Sequence, residues 1–117
     1  MGAFVISKRW NDHYKFVYTS RKGKAIFTSI SFELKFECEA AIAFFKENYT
    51  KCEFPITKNP AGKYLFRIVL ATEQIAVSRK FSTELRAIKG IDEIKKYAMQ
   101  SEILDFSVSD FIFSDES

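Results

Sequence analysis

The chain has 117 residues, of which 47% are apolar, 16% aromatic and 28% charged, with 13 Phe but only 4 Gly and 2 Pro. That balance points to one compact domain spanning 1–117 with a single core, and to a chain that packs tightly rather than remaining disordered. The net charge of +3 is uneven: all 18 cations but only 10 of the 15 carboxylates fall in residues 1–101, which carry +8, leaving an acidic segment at 102–117.

In chain order, "AFVISK" alternates as a strand and reaches charge by Lys8, so it lacks the apolar core of a secretory signal. Ile6 stands where a myristoylation motif wants Ser or Thr. The polar loop "RWNDH" leads into a second alternating strand, "YKFVYTS". "SRKGK" is a hairpin turn, since its spacing fits no phosphate-binding loop, and "AIFTSIS" is the third strand. The period then changes: Cys38, Ile42, Phe45 and Tyr49 make one apolar stripe on a helix.

The same grammar then recurs. "EFPITK" is a strand whose Pro55 belongs near a strand end or a sheet edge. "NPAG" is a loop, and "YLFRIVL" and "QIAVSRKF" are strands. Ala87, Ile91, Ile94 and Ala98 form the second helical stripe, with Ser82 or Thr83 as N-cap. Gly90 lies inside that helix and Ala41 inside the first, two small residues that suggest a close approach of helix to sheet. Numerically, Phe4, Ile6, Lys8, Tyr14 and Phe16 match Phe54, Ile56, Lys58, Tyr64 and Phe66 at an interval of 50. Ile26, Ser29, Phe32, Ile42 and Lys46 match Ile75, Ser78, Phe81, Ile91 and Lys95 at an interval of 49, the slip falling in a hairpin turn. The order is βββα twice, in units of about 4–49 and 54–98, and "ILDFSVSDFIF" alternates as at least one further strand.

The second unit resembles the repeat of the YegP-like family of small uncharacterised proteins. The resemblance rests on "FPITKNPAGKYLFRIVLATEQIAVSRKFST" and "AIKGIDEIKK", with Lys58, Gly62, Tyr64, Phe66, Arg67, Ile75, Ser78, Gly90 and Ile91 fitting its pattern. The first unit departs from it at His13, Val17 and Ala41, and the likeness ends near residue 101. It implies an α+β fold, a tandem or dimeric βββα arrangement in which two units form one antiparallel sheet with both helices on one face; the C-terminal strand is expected from the alternation alone. It implies no catalytic residue.

The residues themselves bring no catalytic, metal-binding or cofactor-binding set together. His13, the only histidine, beside Asp12, reads as an exposed loop residue. Cys38 lies on the helical stripe and reads as core, while Cys52, near Lys51, has a neighbour that would lower a thiol pKa. Two thiols make neither a disulfide framework nor a zinc site, so a reduced, cytoplasmic protein is expected. No run approaches the roughly 18 apolar residues of a membrane span. The carboxylates of Glu37 and Glu39, and of Asp92 and Glu93, point to different faces of their helices and read as solvated surface.

Alternation sends Tyr14, Phe16, Tyr18, Tyr64, Phe66 and Ile68 to the helix side of the sheet. It leaves Val5, Lys15, Val17, Leu65, Arg67 and Val69 on the other. A non-enzymatic binding or interaction module is expected, with an open sheet face centred on Lys15, Lys63, Leu65 and Arg67. Its aliphatic content favours a protein partner or self-association. The alternative is weak, sequence-independent nucleic-acid binding through the basic surface. That face lacks the aromatics on which bases would stack.

Overall fold

The structure, a computed structural model, describes residues 2–107. The first half comprises β1 (Ala3–Lys8), β2 (Tyr14–Thr19), β3 (Ala25–Ser29) and α1 (Lys35–Asn48). The second comprises β4 (Ile56–Lys58), β5 (Tyr64–Leu70), β6 (Glu73–Ser78) and α2 (Glu84–Tyr97), followed by β7 (Glu102–Asp105). A single 3-10 turn follows each helix, at Tyr49–Lys51 and Ala98–Gln100. Residues 108–117 of the acidic segment, with the end of its alternating stretch, lie outside the described residues.

The fold is α+β: one seven-stranded sheet in the order β4-β5-β6-β3-β2-β1-β7, with both helices on one face. From β4 to β1 each strand runs antiparallel to the next. The expected C-terminal strand is present, but it lies parallel to β1, with Val5 beside Leu104, so the sheet is mixed rather than wholly antiparallel. The reason is the preceding connection: β1 already has β2 on one side, and the chain leaving α2 returns along the free edge in β1's own direction. Pro55 sits on the opposite edge, beside β4, where no ladder donor is required, and its carbonyl accepts the Arg67 N–H at 3.1 Å.

The helix-side face carries the core. Phe4, Ile6, Phe16, Tyr18, Phe27, Phe66 and Ile68 are buried against Cys38, Ile42 and Phe45 of α1 and Ala87, Ile91 and Ile94 of α2. The predicted helical stripes are thus the packed ones. Phe45 meets Phe4 and Phe27 edge-on, at 6.2 and 5.6 Å between ring centroids. Gly90 does mark a close approach: a Cβ there would stand 3.1 Å from Phe81 Cζ.

Many contacts occur twice. Ser29 and Ser78 Oγ each accept a buried strand N–H, from Phe16 and Phe66, at 2.9 Å, and each donates to the next carbonyl. Lys46 lies over the Phe4 ring and Lys95 over Phe54, at 5.4 and 5.3 Å. Register shifts leave Ile26 without a partner in β2 and Ile75 without one in β5, each in a bulge, and both pack against the core. The helix starts differ. Thr83 Oγ1 accepts the Arg86 N–H at 3.1 Å, whereas at Leu34 the Glu37 carboxylate reaches back to the backbone N–H at 3.0 Å.

Candidate binding surface and helix-side clefts

Among the described residues no element covers the face away from the helices. Across it the register aligns Leu104, Val5, Val17, Thr28, Val77 and Arg67 on six successive strands, and all six side chains are half-buried. Lys15 stands beside Ser7, and Leu65 beside Thr57. Arg67 reaches the β4 edge, where its Nη1 donates to Thr57 Oγ1 at 3.2 Å. Lys63 lies just before β5, exposed, in a turn closed by its N–H to Asn59 Oδ1 at 2.9 Å.

The four residues singled out from the sequence therefore do not converge. Lys63, Leu65 and Arg67 belong to β5 and its entry, whereas Lys15 is on β2, with β6 and β3 between. At about 4.8 Å per strand this is a separation of about 14 Å. Because β2 and β5 run in opposite directions, Lys15 and Leu65 also fall on opposite sides of the central row. The face offers two cationic corners flanking an aliphatic strip.

The other candidates separate cleanly. His13 is half-buried in the β1–β2 loop rather than exposed, its backbone N–H donating to Asn11 Oδ1 at 3.1 Å. Cys38 is fully buried, and desolvation pushes its thiol up to about 11. Cys52 corrects an expectation. Burial raises its thiol instead of Lys51 lowering it, and Sγ donates to the Asn48 carbonyl at 3.5 Å. Its counterpart Ser101 makes the same bond to Tyr97 and adds one to Tyr18, whose hydroxyl pKa is raised by burial. Glu37, Glu39 and Asp92 are exposed. "SRKGK" forms the β2–β3 turn, with Gly23 at a positive φ of 83°. Among the described residues no three His, Cys, Asp or Glu side chains are grouped as metal ligands. No helix among them is long and apolar enough to cross a membrane.

On the helix side, the sequence reading missed two clefts. One, of about 230 Å³, lies between α1 and β6 and is lined by Phe16, Ile30, Phe32, Phe44, Glu73 and Ile75. The other, of about 180 Å³, lies between α2 and the β2–β3 turn; its polar wall is Lys24, Arg79, Arg86, Lys89 and Glu93. They occupy corresponding places: Ile30, Phe32, Phe44, Glu73 and Ile75 correspond, at the interval of 49, to Arg79, Phe81, Glu93, Lys24 and Ile26. The signal was present in the sequence, as positions where the two units match in place but differ in charge. It was overlooked because each cleft takes its walls from both halves.

No family model matches the sequence, and no curated protein matches it. Two solved structures are similar in fold. The solution structure of YegP, a protein of unknown function from E. coli, has a TM-score of 0.79 at 24% identity, over 91% of this chain and 93% of that one. A UPF0339 protein from Shewanella oneidensis has a TM-score of 0.80 at 23% identity, over 92% of each chain. The chain therefore has the YegP-like fold that its second unit resembles in sequence, a fold these similar proteins carry over nearly their whole length.

Proposed function

We propose that the chain is a single-domain, non-enzymatic binding module, built from two copies of one βββα unit at about 4–49 and 54–98. In this reading its open sheet face docks a protein surface of aliphatic side chains edged by carboxylates. The half-buried row from Leu104 to Val77, ending at Arg67, carries the proposal: four aliphatic side chains, with Thr28 among them, leave partly exposed apolar surface with cations at its margins. Nucleic acid is the weaker fit, since Phe16, Tyr18, Phe27 and Phe66, the rings that could stack on bases, are buried on the helix side. Two free cysteines favour a reducing, cytoplasmic setting.

A photo-crosslinking residue at Val17 or Leu65 tests the surface. The expected result is a discrete protein adduct that disappears in Lys63→Glu/Arg67→Glu. An adduct unaffected by that double change, or one formed only with nucleic acid and lost as salt rises, rejects the protein-docking reading.

A further inference from the structure

We propose that the cleft between α2 and the β2–β3 turn binds the phosphate group of a small phosphorylated molecule. Four cations from three separate segments surround it: Lys24 from the turn, Arg79 from the chain after β6, and Arg86 and Lys89 from α2. None of the four is ion-paired with a described carboxylate. All four are exposed and share the recess with one carboxylate, Glu93, so cations outnumber anions there and a bound anion would offset the excess. A phosphate, with several acceptor oxygens, suits Arg and Lys donors arriving from different directions.

The molecule contains its own control. At the corresponding positions the α1 side has Glu73 for Lys24, Ile30 for Arg79, Glu37 for Arg86 and Ala40 for Lys89. The same fold forms there without a cation, so packing does not require the four charges. Arg79 is also positioned, its guanidinium lying over the Phe81 ring at 5.0 Å, which restricts the plane in which its N–H donors point. Arg86 is in the first turn of α2, where the helix dipole adds to the attraction for an anion.

The half-buried Glu93 on the same wall selects against an extended polyanion and gives a hydroxyl or amine on the phosphate's carrier an acceptor. The cations converge on one recess instead of forming a stripe, which fits a small molecule rather than a nucleic-acid backbone. This cleft lies on the opposite side of the sheet from the open face, so the two proposals stand independently.

The test is a nuclear magnetic resonance titration of the full chain with inorganic pyrophosphate, and separately with a short single-stranded oligonucleotide. Saturable shifts are expected in the amides of Lys24, Arg79, Arg86, Lys89 and Gly90 with pyrophosphate. R86E/K89A installs the residues that α1 already carries and is expected to weaken binding at least tenfold while the spectrum stays dispersed. K24Q, in an exposed turn, provides a second variant, with a loss of about threefold or more. The proposal is overturned if pyrophosphate at millimolar concentration produces no localised shift, or if K24Q binds as the unaltered chain does. It is also overturned if the oligonucleotide binds more tightly and its shifts spread across the open face.

Discussion

Thr28 of β3 lies directly opposite Val77 of β6, and the two are each other's counterparts at the interval of 49. Phe27 pairs with Ser78 and Ser29 with Ala76, each the counterpart of the other's partner. The flanking bonds are exchanged likewise, from Ile30 N–H to the Ile75 carbonyl and from Arg79 N–H to the Ile26 carbonyl, at 3.2 and 2.9 Å. A pseudo-two-fold axis through the Thr28–Val77 pair accounts for all of them. An isolated fragment of residues 1–52 is therefore expected to pair with itself, Thr28 opposite Thr28. Sedimentation should report twice the fragment mass, with a melting temperature that rises with concentration. A monomeric fragment would refute the symmetry argument.

Ser29 and Ser78 hold buried strand N–H groups that the ladder leaves unpaired. Removing either hydroxyl strands a buried donor, at about 1–3 kcal/mol. Ser29→Ala and Ser78→Ala should each lower stability in urea by that amount, and by similar amounts, because their bonds match in length. A loss of under about 0.5 kcal/mol in both would mean that water takes over the amides.

The β5–β6 hairpin turns at Ala71 and Thr72, both at positive φ, 51° and 68°. Two such residues are the requirement of a primed turn, and a β-branched Thr fits it poorly. Ala71→Asn/Thr72→Gly should raise stability by about 1–2 kcal/mol, read as a higher urea midpoint with unchanged slope.

Position 90 has little room. The ring of Phe81, which a Cβ would meet at 3.1 Å, is stacked on Phe66 and lies under Arg79, so it cannot swing away freely. In Gly90→Ala, a helix-propensity gain of about 1 kcal/mol is set against that crowding, giving a change close to zero. Gly90→Val adds two methyl groups beyond the Cβ of Ala and is expected to cost about 1–3 kcal/mol in chemical denaturation. Equal stability for Val and Ala would show that the ring yields.

Asp105 anchors β7 to the start of α1 through its ion pair with Lys35. Burial pushes the carboxyl pKa up, but hydrogen bonds from Lys35 and Ser107 outweigh it and leave the pKa below its ordinary 3.8. A lowered carboxyl pKa means that its stabilisation is present above 3.8 and is lost as pH falls through the lowered value. Lys35 is raised by the same bond, so its share persists until pH climbs past 10.5. Amide exchange of β7 should accelerate selectively in strong acid, and Asp105→Asn should remove that pH dependence. Identical acid profiles for the two proteins would assign the loosening to other groups.

Locally encoded features were legible in the sequence. Alternation put Phe4, Phe16 and Phe66 on one face, and the helical stripes Cys38-Ile42-Phe45 and Ala87-Ile91-Ile94 are the buried ones, because a strand or helix orients each side chain by its spacing from close neighbours. Only the tertiary structure decided what depends on distant segments meeting. β7 runs parallel to β1 because of where the chain leaves α2. Lys15 is parted from Leu65 by two strands. Lys24 faces Arg86 across 62 positions of sequence because β3 and β6 pair at the centre of the sheet, which sets the turn of one half against the helix of the other.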